Sequence, residues 1–534
     1  WQHTTTTDNK GRFSFAGVPT GATVLRFVAP GFDEATSDVE VVEGEAVEVR
    51  VWARNQSYRS NEIVGVYRKK SDDVTRRTLT MDEIRRIPGT FGDPVRVIQN
   101  LPGAARSPLG SGLLVIRGAN PEDSGVYVDG IRIPIIYHLG GYSSVINADL
   151  IESVDYLPGS YGVEYGRTMG GAIDVKTKST FPEQGRFVWD TDALDTGLFY
   201  EGRTGKNDQL GIAVAARRSY VDAIIPLVTP RPEFTVKPRW YDYQLKLAGL
   251  GDRPGDWSAF IFGFEDRLIA STPPGFAQSS DPDAQGDLGT VYTTHRGYFS
   301  YTRDLSDELS LRLVPSIGFD GINFQVGNAF RVDQWQVLLE ARAELIWTPT
   351  DTLTTTAGLD FIGGTWGFHA GLPIDPGMLD DYDPLAEREP WTTSGTGTGW
   401  GPDLYADAAW RPVPGKPDTL LIRPGARLNV VSLDDFGREG DPAMLRIAVV
   451  EPRLSTRWQP IEDTALKGAV GLYHQPPQPF EVWRPEGRVD LDFERALSAE
   501  VGVEQRFGDA IEADASAFLK TLDNQIVQNP DYVD

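Results

Sequence analysis

Cysteine is absent from the 534 residues, so no disulfide framework and no thiolate metal site is available to the chain. Histidine is nearly as scarce: five residues, at 3, 138, 295, 369 and 474, stand far apart with no paired metal-binding spacing. Neither a Gly-x-Ser-x-Gly elbow nor a phosphate-cradling Walker loop occurs, and no catalytic constellation emerges. Basic residues are in deficit, 51 Lys and Arg against 76 Asp and Glu for a net charge of −25, which excludes the basic face of a nucleic-acid binder. No apolar run reaches the 18 residues of a membrane-spanning helix. What the chain does have is 56 Gly, 37 Pro and 10% aromatics, a composition suited to many strands and tight turns.

Three textures follow one another. Residues 1–53 read as a small β-sandwich. Phe13 and Phe15 share one face of a strand, a turn falls at Val18-Pro19-Thr20-Gly21, and Val47, Val49 and Val51 alternate later. The pattern carried by Asp8, Gly11, Phe13, Phe15, Val18, Pro19, Gly21, Pro30, Gly31 and Phe32 resembles the carboxypeptidase regulatory-like domain. Residues 54–73 are polar and read as a linker. From 74 to 180 the pattern is α+β. Thr80 and Glu83 have capping-box spacing, and Asp93 precedes Pro94 as a cap for a second helix presenting Val95, Ile98 and Leu101. Apolar runs then flank a tight turn at Asp129-Gly130.

Beyond about residue 181 the chain becomes an array of amphipathic strands, 14 to 16 by count. Leu339, Ala341, Ala343, Leu345 and Trp347 alternate with Glu340, Arg342 and Glu344; Val501, Val503 and Phe507 alternate with Glu500, Glu504 and Arg506. Such alternation suits a sandwich sheet as well as a barrel. The connections discriminate. Trp347, Trp410 and Trp458 each open a short Trp-x-Pro turn containing Asp-Thr, whereas the connections at the other end are long and polar. Short turns at one end, long loops at the other and tryptophan at the short-turn rim are the asymmetry of an outer-membrane barrel. Trp391 and Trp400 are expected in the longest of the long loops.

Five motifs in one order carry a second resemblance: Ile116-Arg117-Gly118, then Val126 to Pro134 with Asp129-Gly130, then Ile151 to Gly159, then Tyr165-Gly166, then Gly170-Gly171 leading to Lys178. The chain resembles the plug domain of TonB-dependent outer-membrane receptors, followed by their barrel. The fold expected is therefore mainly β: a small sandwich (1–53), a linker (54–73), an α+β plug (74–180) and an incomplete antiparallel transmembrane β-barrel (181–534). The opening WQHTTTT and the closing QNPDYVD lead to the expectation that the sequence is an internal piece of a longer receptor.

The resemblance implies TonB-dependent import of a scarce nutrient, such as a metal–siderophore chelate, across a Gram-negative outer membrane by plug rearrangement. The partners implied are a TonB-type energy-transducing protein of the inner membrane, outer-membrane lipid and the unknown substrate; no enzyme activity, resident cofactor or metal is expected. The sandwich would be periplasmic. Glu62, Ile63, Val64, Gly65, Val66 and Tyr67 fit the segment such a partner grips, an acidic residue followed by small apolar ones, although Gly65 departs from the pattern. Tyr137, His138 and Tyr142 fall in a plug loop that would face the outside entrance, where they would touch substrate or else pack on the barrel wall. Arg117 is expected to pair with an acid of the barrel or plug. Asp281, Asp283 and Gly286 have the first spacings of a calcium loop, but Tyr292 stands where its closing glutamate belongs. Two other readings stay open on sequence alone: a structural or adhesive barrel without transport, and an all-β carbohydrate-active enzyme.

Overall fold

The computed structural model describes residues 4–7, 12–28, 35–42, 47, 49, 76–84, 87, 93, 95–106, 114–139, 141, 143–228, 235–250, 256–271, 287–326, 330–372, 391–416, 418–434, 444–482, 491–508 and 511–527. It divides into two compact units, Trp1–Lys69 and Lys70–Asp534. In the first, β1 (Gly21–Phe27) pairs antiparallel with β2 (Ala35–Val41). Ahead of β1, Phe13 and Phe15 are half-buried with rings 6.2 Å apart, while Arg12 and Ser14 are exposed. The alternation seen in the sequence is that of a strand-like segment with one apolar face.

The second unit begins with the plug. Its strands are β3 (Arg77–Thr80), β4 (Ala104–Arg106), β5 (Leu114–Ile116), β6 (Gly125–Val128), β7 (Ile131–Ile133), β8 (Ile151–Leu157) and β9 (Ala172–Thr177). Five of them make one sheet in the order β3-β8-β9-β6-β7, parallel only between β6 and β9. The helices expected before it are short. One spans Met81–Ile84, and the second, Val95–Asn100, is a 3-10 turn rather than an α-helix. Asp93 caps that turn by accepting from the Val95 N–H at 2.9 Å, and a threefold period is what puts Val95 and Ile98 together in the core. Asp129 and Gly130 join β6 to β7 with φ of 51° and 87°. Both values are positive, as a two-residue type I′ hairpin requires.

Fifteen antiparallel strands follow in strict chain order, from β10 (Arg186–Thr191) to β24 (Ile511–Asp523). The sheet is open: among the described residues, these two end strands each pair on one side only. From β13 (Thr235–Gly249) onward the strands run 12 to 21 residues, longer than the 9–11 that cross a bilayer. Neighbouring strands meet at short connections (205–209, 305–308, 351–352, 462–463) on one side and longer ones (272–286, 373–390, 476–493) on the other. Two connections on the long-loop side, 192–194 and 327–329, have only three residues, so the asymmetry is strong without being uniform.

The face polarity decides what this sheet is. In β17 (Phe330–Thr350), Leu339, Leu345 and Trp347 are 54, 43 and 48% exposed, whereas Arg342 and Glu344 are buried. In β23 (Glu494–Phe507), Val501 is 63% exposed and Glu500 is buried. The apolar face looks out and the charged face looks in, the reverse of a soluble sandwich and the arrangement a barrel in lipid demands. Trp347, Trp410 and Trp458 are all half-exposed at the short-turn rim, opposite Leu309, Leu353 and Leu420. Trp400 corrects an expectation. It lies within β19 (Trp391–Trp410), half-exposed on the same side as Leu404 and Trp410, and strand pairing to Gly363 overrides the Gly- and Thr-rich sequence that reads as a loop. Trp391 is the first residue of that strand.

Candidate functional site: the plug against the barrel wall

The plug sits on the inward face of the sheet. Its Val128, Ile131, Ile173 and Val175 share one core with Phe260, Phe262 and Phe264 of β14 (Trp257–Ser271). Each of these rings is fully buried, and burying one contributes roughly 1.5–3 kcal/mol. The lumen wall is thus aromatic at β14, where the plug's sheet packs.

Buried charge pairs fix the plug's orientation. Arg117 donates to both oxygens of Glu500 at 2.9 and 2.7 Å, with the ring of Phe518 4.1 Å from its guanidinium. Arg167 donates to both oxygens of Asp403 at 2.9 and 3.0 Å. Asp129 accepts from the Thr177 N–H at 2.8 Å within the plug and lies 3.3 Å from the Lys246 ammonium of the wall. Burial alone would raise the Asp129 carboxyl; Lys246, Thr177 and Tyr298 together hold it below the usual carboxylate range. Three wall arginines then hook plug carbonyls: Arg342 reaches Glu164 at 3.1 Å, Arg427 reaches Val163 at 3.1 Å, and Arg453 reaches Gly162 and, at 2.8 Å, Tyr165.

The plug-motif residues take up these roles. Gly118 continues the left-handed turn opened by Arg117. Gly159 lies against the Arg117 guanidinium, and Gly170 against Asp123 and Ser124. A side chain at Gly166 would fall on the Arg427 guanidinium, and a Cβ at Gly171 would come within 2.7 Å of Ile116 and 2.9 Å of the Leu157 carbonyl. Tyr165 is buried and donates to Asp174 at 3.0 Å. The expectation that Arg117 pairs with an acid is met by a residue 383 positions away.

Of the three residues expected at the entrance loop, Tyr137 and His138 are described. Tyr137 is fully buried and donates to the Val95 carbonyl. His138 is 1% exposed; its Nδ1 lies 2.5 Å from Asp266 of β14 and its Nε2 3.1 Å from Asp242 of β13. Arg217 closes the group by donating to Asp242 at 2.7 Å and to the Ser144 carbonyl. Burial would pull the imidazole pKa down, but Asp266 and Asp242 override it and push it up to about 9. With both ring nitrogens donating to carboxylates, His138 is a charged peg that holds the loop to the wall. Tyr142, Glu62 to Tyr67, and the acidic-loop positions Asp281, Asp283 and Gly286 lie outside the described residues.

Above this loop, on the side of the longer connections, is a cavity of ≈ 710 Å³ between plug and wall. Pro134, Ile135, Ile136 and Leu139 form part of its floor, but Tyr137 and His138 do not. Of the two roles left open for this loop, substrate contact or packing on the wall, the described contacts of His138 are those of wall packing, and Tyr137 packs within the plug. The cavity-lining residues, Ile133 to Ile136 and Leu139, are the apolar ones of the loop, and the polar pair Tyr137 and His138 turns away from the cavity.

Three family comparisons bear on this geometry. Residues 234–534 match the family described as TonB dependent receptor-like, beta-barrel, residues 68–172 match the TonB-dependent receptor plug domain, and residues 1–52 match the carboxypeptidase regulatory-like domain. The TonB-dependent transporter Oar of Myxococcus xanthus is 27% identical over a match covering 33% of this chain and only 18% of that protein. Among solved structures, the ferric yersiniabactin uptake receptor FyuA of Yersinia pestis superposes with a TM-score of 0.59 at 16% identity, covering 85% of this chain and 72% of that one. The FrpB iron transporter of Neisseria meningitidis gives 0.59 at 15%, covering 84% and 73%. At such identities the structural likeness speaks for the fold alone. With more than half of its length matched by the family's barrel and a plug seated on the inward face of an inside-out sheet, the chain belongs to the TonB-dependent receptor family of outer-membrane β-barrel proteins.

Proposed function

We propose that the chain is the plug-and-barrel part of an energised importer that takes up a scarce solute across the Gram-negative outer membrane. The observation that supports this most is the way the plug is held. Beside the apolar core at β14, it is oriented by discrete charge pairs, Arg117–Glu500, Arg167–Asp403 and His138 between Asp242 and Asp266, and by carbonyl hooks. Such contacts are strong while dry and weaken sharply once water enters. A plug so held is stable at rest and releasable by a local pull.

The outer membrane has no nucleotide supply, so the work would come from the inner-membrane proton gradient through a TonB-type partner. Glu62, Ile63, Val64, Gly65, Val66 and Tyr67, just ahead of the plug in the sequence, are our assignment for the segment it grips, by adding a strand to an edge of the partner. The N-terminal unit would then be periplasmic. The cargo is captured in the cavity above the plug, a metal chelate being the class of solute the solved relatives' names suggest.

The test is a deletion of residues 62–67 in the complete receptor in cells. Energised uptake should vanish while cargo binding at the surface persists. Uptake that survives the deletion would refute the coupling assignment, and binding without any uptake in the undeleted receptor would favour an adhesive barrel.

A further inference from the structure

The cavity above the plug carries information about charge. Its lining is chiefly aliphatic and aromatic, with Ile133 and Ile135 on the plug side and Ile322, Leu338, Ile362 and Trp366 on the wall. Three guanidiniums line it, and two of them, Arg296 and Arg167, are already neutralised. Arg296 donates to both oxygens of Asp320 at 2.9 and 2.7 Å, and Asp320 also accepts from Thr294 at 2.9 Å and Gln336 at 2.8 Å. Arg167 is closed by Asp403 in the same bidentate way. Arg132 donates to the Arg167 carbonyl at 3.1 Å. Against these stands Glu340, also in the lining, which accepts from the Ser316 hydroxyl at 3.2 Å.

Counting Arg132 and Glu122, the lining holds three guanidiniums and three carboxylates; a polyanion would find no excess of positive charge, and to engage Arg296 or Arg167 it would have to leave a carboxylate buried and unpaired, which is strongly unfavourable. One polar feature invites a ligand instead. Arg296, with a side chain only 2% exposed, keeps its Nε without a hydrogen-bond partner among the described residues. Such a donor matches a neutral acceptor, a carbonyl or ether oxygen, and needs no anion.

We propose that this cavity selects an uncharged, largely apolar organic ligand bearing a hydrogen-bond acceptor, and discriminates against polyanions. The proposal rests on the importer reading above and narrows its cargo: a metal chelate would have to be charge-neutral with its organic periphery outward. A volume of ≈ 710 Å³ is that of an ordinary small-molecule site.

A matched pair of probes tests it. N-phenyl-1-naphthylamine is neutral, and 8-anilinonaphthalene-1-sulfonate has the same scaffold with one negative charge. Fluorescence titrations would use the receptor in nanodiscs of zwitterionic lipid, with Ile362→Trp, which fills the cavity, as the background control. Leu338→Trp, on the adjacent strand, serves if the first variant fails to fold. We expect saturable binding of the neutral probe, at least tenfold tighter than the sulfonate, and its loss in the filled variants. Equal or tighter binding of the sulfonate, absence of neutral-probe binding, or a signal unchanged in folded Ile362→Trp or Leu338→Trp would each overturn the proposal. Because binding is read without energisation, its failure is separable from a failure of transport.

Discussion

Raising the pH should release the entrance loop at one point, His138. The imidazole is held at about 9 in the folded plug and would return to about 6.5 when the loop swings into water. A raised folded-state pKa contributes stability that is complete below the free value and lost as pH climbs through the folded one. The window is therefore pH 6.5 to 9, and the whole shift amounts to about 3 kcal/mol, or roughly two decades in the opening equilibrium. Above that window Asp242 and Asp266 face a neutral ring, with Arg217 left on the Asp242 side of the group. Hydrogen exchange reads this directly through three amides: His138 N–H to the Ser143 carbonyl, Val145 N–H to the Ile136 carbonyl, both 2.9 Å, and Leu139 N–H to Asp266 at 2.7 Å. Their protection factors, corrected for the base-catalysed intrinsic rate, should fall by about two decades between pH 6.5 and 9.5, while amides of β8 and β9 hold theirs. In His138→Gln the same amides should start less protected and show no such fall. Flat protection in the native receptor, or an equal fall in His138→Gln, would refute the reasoning.

Four further outcomes follow from the same contacts. Arg117→Ala should loosen the plug by about 3–5 kcal/mol by stranding Glu500 in a dry site, seen as a lower urea midpoint for plug release; adding Glu500→Ala should recover part of the loss. Gly171→Ala forces a Cβ against the Leu157 carbonyl and Ile116 and should cost about 1–3 kcal/mol of plug stability, measured by the same unfolding. Leu339→Arg places a charge on the outward face opposite Ile317 and should cost about 2–4 kcal/mol of membrane insertion if that position lies near the midplane, read as the heat-modifiable fraction. Gln336→Glu, on the same strand but lining the cavity on the inward face, should leave insertion unchanged while weakening neutral-probe binding.

Much of the fold was legible because its signals are local. The plug hairpin is written in Asp129-Gly130, whose side chain and missing Cβ suit positive φ, and the barrel in the two-residue alternation of β17 and β23. That Leu339 looks outward and Arg342 inward required only the short-turn tryptophans to decide which solvent lay on which side. The site was less legible. Alternation says that Glu500 faces the lumen but not at what height, so its pairing with Arg117 depends on strand stagger that accumulates over the whole sheet. The wall partners of His138 were hidden for the same reason. Its carboxylates lie 104 and 128 residues away on two strands, and nothing beside it in the chain marks it as a peg. Trp400 was misplaced because Gly and Thr weaken local strand character, which pairing on both sides of β19 restores.

The central claim is that the plug must move within the barrel for cargo to pass. Asn147 of the plug bonds Gln244 of the wall through its backbone N–H at 2.9 Å, and the absence of cysteine from these 534 residues lets the two positions carry the only thiols within them. Asn147→Cys with Gln244→Cys, joined by a short cleavable dithiol cross-linker in the complete receptor, should abolish energised uptake, leave surface binding intact, and recover uptake on cleavage. Unchanged uptake with the tether demonstrably in place would contradict the account.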